Sequence, residues 1–179
     1  ADSPDVIDTR DFRERFGFAS GDFNVVTVSR LANYMKAESL LRTVSVVGEL
    51  GRTLPIRFII VGDGEARPAL EAMAEKTNAS LGRRAIVLTG ELVDPRAAYA
   101  SADAVIGMGG SALRGMAFGK PVIVVGEGGF SRLLEPTSAA YFTYKGLYGI
   151  GSKVEHNNDM SADLRRLVES PRLALELGQ

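Results

Sequence analysis

Cysteine is absent from this chain of 179 residues. That excludes disulfides and thiolate chemistry, and it is compatible with a reducing compartment. Histidine occurs once, as His156 within HNND. A lone imidazole without cysteines or carboxylates beside it is poor material for a metal centre and reads as a solvated loop side chain. An excess of either charge is also lacking. The 21 Lys and Arg against 22 Asp and Glu leave a formal net charge of −1, so no basic field marks a nucleic-acid partner. No apolar run reaches the roughly 18 residues that a spanning helix requires. The leading ADSPDVIDTRDFRERF is acidic and polar rather than a signal peptide. Repeats, low-complexity tracts and clear linkers are missing too. These absences lead to the expectation of a single cytoplasmic domain over 1–179 with 1–22 as a leading segment.

What is present is alternation. FNVVTVS (23–29), IRFIIVG (56–62), AIVLTG (85–90), DAVIGM (103–108) and PVIVVG (121–126) read as buried strands. Helical patterns lie between them. Residues 36–50 place Leu40, Leu41, Val44 and Val47 on one face, and 64–77 place Leu70, Met73 and Ala74 together. Shorter helices are predicted over 94–101 and 111–118. A further one over 161–170 carries Leu164, Leu167 and Val168 on one stripe, with Ser161 as its N-cap. Strands and helices in alternation, with near-continuous apolar strands, predict a three-layer Rossmann-like α/β domain. Its central parallel sheet is flanked by helices. Residues 141–160 break the alternation and read as an irregular insertion.

Ligands of an open parallel sheet lie at the carboxyl ends of its strands. The residues there are Ser29 and Arg30, then Gly62, Asp63, Gly64 and Glu65, then Gly90, Glu91 and Leu92, then 107–111, then 126–130. Glycine admits close backbone approach, and helix starts add amide donors and partial positive charge, so these strand ends describe an anion-accepting rim. Arg30 and Lys36 are either a clamp for a diphosphate or a pair of exposed cations on a loop. GDGEARP (62–68) lacks a full dinucleotide fingerprint, with Arg67 at the third glycine position, and reads as a turn and helix start. In GMGGSALRGMAFGKP, Ser111 suits an N-cap, Leu113, Met116 and Ala117 make the buried stripe, and Gly119 stops the helix. Arg114 then lies in the first turn, opposed to the helix dipole. It snorkels to water, joins the rim around an anion, or marks the simple loss of an ancestral acid. In GEGGF (126–130) a helix is predicted near Ser131. Glu127 either accepts sugar hydroxyls or is a solvated turn carboxylate.

The ordered set VSRL followed by Lys36, FIIVGDGEARPALEAMA, LTGEL, YASADAVIG and SALRGMAFGKPVIVVGEGGF resembles the C-terminal half of a family 4 (group 1) glycosyltransferase of the GT-B fold. The closing SADLRRLVESPRLALELGQ is similar to that family's last segment, and both ends look cut from a longer chain. The resemblance implies the donor-binding half of a two-domain hexosyltransferase. Such an enzyme acts on a nucleoside-diphosphate sugar, is generally retaining and generally needs no metal or other cofactor. The missing partner would be an N-terminal acceptor-binding domain, and peripheral contact of the full protein with a membrane is left open. By resemblance, Arg30 and Lys36 meet the donor diphosphate, together with Gly109, Gly110, Ser111, Ala112 and Leu113. Gly62, Gly64, Glu91, Leu92 and Arg114 fall beside base and ribose, and Glu127, Gly128, Gly129 and Phe130 on the sugar side.

Anchored on GMAFGKPVI, the family's two glutamates fall on Ile106 and Arg114. Neither is an acid, so the catalytic residues stay unassigned. Two alternatives remain: a diverged binding or regulatory domain, and a sugar-nucleotide epimerase of the same fold. A Rossmann dehydrogenase is disfavoured, because the first strand ends in Ser-Arg-Leu rather than a glycine fingerprint.

Overall fold

The computed structural model describes residues 7–151 and 159–179. Six strands form one sheet, β1 (Phe23–Val28), β2 (Ile56–Val61), β3 (Ile86–Gly90), β4 (Ala104–Gly107), β5 (Val122–Val125) and β6 (Ser131–Leu133). Their order is β3-β2-β1-β4-β5-β6. The first five are parallel, in keeping with their near-continuous apolar character. β1 and β2 register from Phe23 opposite Ile56 to Val28 opposite Val61.

Helices cover both faces of the sheet. Alternate strand residues Val25, Phe58, Ile60, Ile106 and Ile123 pack against α2 (Ala37–Leu50), α3 (Arg67–Leu81), α7 (Met160–Glu169) and α8 (Pro171–Leu177). The other alternate set, Val26, Ile59, Val87, Val105 and Val124, packs against α1 (Arg10–Arg15), α4 (Arg96–Ser101), α5 (Gly110–Ala117) and α6 (Pro136–Lys145). The period of two along each strand thus feeds two cores, one on each face.

Several expectations are corrected. The sheet is not wholly parallel, because β6 runs antiparallel to β5. The helix predicted near Ser131 is that strand, since the tight turn at Gly128 and Gly129 sends the chain straight back along β5. The irregular stretch does not begin at 141. α6 runs to Lys145, capped by Glu135 and Ser138, which exchange side-chain and backbone hydrogen bonds. His156 lies outside the described residues. Asp159, not Ser161, caps α7, accepting from the Ala162 amide at 2.9 Å.

The leading segment is docked rather than separate. Phe12 and Phe16 are buried in the second core. The buried Arg57 donates to the carbonyls of Phe16 at 2.9 Å and Gly17 at 2.6 Å. Its guanidinium also lies 3.8 Å from Asp22.

α5 overturns its predicted stripe. Ala112 and Gly115 face the sheet, whereas Leu113 and Met116 are 58% and 45% exposed. A Cβ on Gly115 would lie 3.0 Å from Val105 and 3.1 Å from Val122. The helix sits too close to the strands for larger side chains to turn inward, so they turn out.

Candidate functional site

The loops after β1, β2 and β3 are sewn together. The Ser29 amide donates to the Val61 carbonyl at 2.9 Å, Leu31 to Asp63 at 2.9 Å, Ala66 to Leu31 at 2.8 Å and Gly62 to Gly90 at 2.9 Å. Gly62 has φ +139°, and a Cβ there would lie 1.9 Å from the Ser29 carbonyl oxygen. Gly64 has φ +150° and the same relation to Leu31 at 2.6 Å. Both glycines serve this loop-to-loop approach. Arg67 bridges Asp63 at 3.0 Å and Glu71 at 2.7 Å, which fixes the start of α3. Between the loops opens a cavity of about 580 Å³, lined by Val28, Ser29, Arg30, Val61, Gly62, Asp63, Glu91 and Leu92. Arg30 is exposed at its edge and makes no ion pair among the described residues.

Beside it, across Ser29, lies a small pit lined by Thr27, Lys36, Ser39, Ile106, Gly107 and Ser111. Lys36 directly precedes α2 and is half-buried. Lost hydration pushes its pKa down from the ordinary lysine value. Its neighbour Met35 holds φ +65°, the only non-glycine in the left-handed region among the described residues. Ser111 is not the cap of α5. Gly109 occupies that position, and the Ser111 hydroxyl closes on Met108 instead, donating to its carbonyl at 3.0 Å. Ile106 is buried in β4. Arg114 stands in the last turn of the eight-residue α5, not the first, so the helix dipole favours it. It is exposed on the side of the buried Tyr99, whose phenol feels its charge.

The loop after β5 is closed by a strap that the sequence reading left as irregular. The Glu127 amide donates to the Gly149 carbonyl at 3.0 Å, and the Gly151 amide to the Glu127 carbonyl at 2.7 Å. The approach needs glycine on both sides. A Cβ on Gly126 would lie 1.8 Å from the Gly149 oxygen, and one on Gly151 would lie 1.9 Å from the Gly128 oxygen. Leu147 takes the Gly109 amide at 2.7 Å. The Tyr148 hydroxyl donates to Glu127 Oε1, a contact that pushes the Tyr148 pKa up to about 12. Arg42 holds the far side, donating to the Phe130 carbonyl at 2.8 Å and pairing with Glu38 at 3.2 Å. Gly128 and Gly129 turn the loop. Phe130 does not reach the rim, for its ring is buried and stacked on Tyr141. Tyr148 escaped the sequence reading. Its one signal was the spacing of Gly149 and Gly151, which repeats that of Gly126 and Gly128.

The structure therefore gathers Arg30, Gly62, Glu91 and Leu92 around one cavity and Lys36 with Ser111 around the adjoining pit. Gly109 is placed beside Glu127 through the strap. Among the described residues no group of three or more His, Asp or Glu is disposed to hold a metal ion. No described helix is long and apolar enough to cross a membrane.

Residues 22–156 match the family model of the glycosyl transferases group 1. The chain belongs to the group 1 glycosyltransferases. No curated protein matches it significantly, but solved structures of glycosyltransferases share its fold. One from Rickettsia africae superposes with a TM-score of 0.68 at 15% identity, covering 99% of this chain and 47% of that one. HepE of Anabaena, solved in complex with UDP, gives 0.63 at 16%, covering 95% and 45%. A TarM variant of S. aureus, solved with fondaparinux, alpha-GlcNAc-glycerol and UDP, gives 0.63 at 24%, covering 88% and 31%. This group 1 glycosyltransferase chain thus spans less than half the length of each. Its Rossmann-like layers are one domain's worth of a GT-B architecture.

Proposed function

We propose that this chain is the donor-binding, C-terminal domain of a two-domain enzyme. The enzyme moves a hexose from a nucleoside-diphosphate sugar to an acceptor hydroxyl, with retention at the anomeric carbon and without a metal. One observation carries the reading. The strand order β3-β2-β1-β4-β5 sets a cavity, two cations and a carboxylate in sequence along one sheet edge. A base and ribose fit the 580 Å³ cavity beside Glu91 and Leu92. The diphosphate then falls to Arg30 and Lys36, near the start of α5, and the sugar to Glu127. In the transfer, the bond between the anomeric carbon and the diphosphate oxygen breaks. The acceptor oxygen bonds to that carbon and gives up its proton. This chain's part is to neutralise the leaving diphosphate with fixed cations and amides. Family membership and the fold shared with UDP-bound glycosyltransferases support this reading. Among the described residues the rim offers no nucleophile with a paired base, so no covalent step is assigned to this chain.

The test is calorimetry of UDP, GDP and ADP and their hexose esters against the chain and Arg30→Ala. We expect one base to be selected, with affinity reduced about tenfold or more in Arg30→Ala. Addition of EDTA should leave binding unchanged. A second reading, a regulatory domain that kept the fold and lost catalysis, is favoured by the absence of an acid at Ile106 and Arg114. A folded chain that binds no nucleotide would establish it over the first.

A further inference from the structure

We infer that Glu127 and Tyr148 form a selector for the charge of the donor sugar, admitting a neutral hexose and rejecting a uronic acid. The inference rests on the donor-domain reading for the place of the sugar, and it deepens that reading.

Glu127 is held from both sides of its own peptide. Its amide is spent on Gly149 and its carbonyl on Gly151. The glycine contacts between the two loops leave no room to slide, because any added Cβ at Gly126 or Gly151 would overlap a carbonyl oxygen. Only the side chain is left to meet a ligand, and Tyr148 fixes that as well by donating to Oε1. Tyr148 is itself anchored, partly buried against the first of the two cores. Its raised pKa, near 12, keeps the hydroxyl a donor throughout the physiological range.

A carboxylate has about four lone-pair positions, and the phenol takes one. The remainder accept hydroxyl hydrogens from a sugar. No described Lys or Arg pairs with Glu127, so none of those cations offsets its negative charge. A hydroxyl or ammonium on the sugar meets an acceptor there, whereas a second carboxylate meets a like charge. The pair sits on the loop directly after β5, whose last residue Val125 forms part of the wall of the pit that holds Lys36. That is the next position along the edge after a diphosphate.

The experiment uses the nucleoside diphosphate preferred in the binding panel, with UDP, UDP-glucose and UDP-glucuronic acid as the starting set. Wild type, Glu127→Gln and Tyr148→Phe are compared by calorimetry. Wild type should prefer the glucose ester to the glucuronic acid ester by about tenfold or more. Glu127→Gln should shrink that preference to about threefold or less, mainly by admitting the acid ester. Tyr148→Phe should weaken the glucose ester several-fold and leave the bare nucleotide within about twofold. Three results would overturn the selector: equal affinity for the two esters in wild type, an unchanged preference in Glu127→Gln, or an equal effect of Tyr148→Phe on bare nucleotide and ester. The last would make the pair a latch on the strap. Glu127→Gln keeps the phenol's acceptor, so the test stands even if Tyr148→Phe folds poorly. Failure of the donor reading looks different, for then no bare nucleotide binds any of the three proteins.

Discussion

Lys36 carries its ammonium where water has been partly stripped away, and this lowers its pKa below the ordinary lysine value. In the free chain the charged form is disfavoured, and a bound diphosphate favours it again. The sign follows. Binding in mildly alkaline solution takes up a proton, and affinity falls as pH rises through the Lys36 pKa, before a normal lysine, near about 10.4, would respond. Lys36→Arg keeps its charge throughout. Calorimetric titrations of nucleotide from about pH 7 to about pH 10 should therefore show the wild-type affinity falling further than that of Lys36→Arg at the alkaline end, the gap bounded by about tenfold, the worth of one charge-assisted hydrogen bond. Both proteins meet the same ligand, so the ligand's own ionisation cancels in the difference. Parallel curves would take Lys36 out of the anion site. Its candidacy was legible in the sequence because strand-end position and residue type are both local. Tyr148 was not, since its partner lies 21 residues away and its loop has no period. The cost of Gly62 and Gly64 was also hidden. Each is required by a carbonyl on another loop, and composition cannot distinguish that from approach to a ligand.

At the scale of elements, α5 shows how a correct helix acquires a wrong face. The pattern of Leu113, Met116 and Ala117 is a sound amphipathic stripe, yet the sheet is met by Ala112 and Gly115. Distance decides it, because Val105 and Val122 stand only 3.0 and 3.1 Å from where a Cβ on Gly115 would be. Gly115→Ala should gain about 1 kcal/mol of helix propensity and lose about 1–3 kcal/mol to overpacking. We expect a net loss of about 1 kcal/mol in urea unfolding. Gly110→Ala, with open space around it, should change stability by less than about 0.5 kcal/mol. A stabilised Gly115→Ala would mean that α5 rides further from the sheet. The five parallel strands and the helices between them were legible because each is a run of apolar residues at one period. β6 was not, being three residues long with no alternation to read. α6 hid behind Glu135 and Pro136, where the cap reverses the usual order of hydroxyl and carboxylate.

The whole molecule adds what neither scale holds, namely strand order. Alternation in sequence predicts a parallel sheet but not that β1 lies between β2 and β4, which is what brings Ser29 to the wall of both the cavity and the pit. Because the loops after β1, β2 and β3 share hydrogen bonds with one another, a nucleotide there contacts backbone that unfolds with the sheet rather than a separate flap. Binding should then stabilise the fold as a unit. At a nucleotide concentration about 100 times Kd, linkage gives about 2.7 kcal/mol. In a domain of this size each kcal/mol moves Tm by about 2–4 °C. A rise of about 5–10 °C is therefore expected in differential scanning calorimetry, and Arg30→Ala at the same ligand concentration should lose a third or more of it, since a tenfold weaker Kd removes about 1.4 kcal/mol. A tight calorimetric Kd with little change in Tm would show the loops opening independently of the sheet. The ligand would then be held by a locally unfolding rim, and the stitched loops would not be the structural basis of the site.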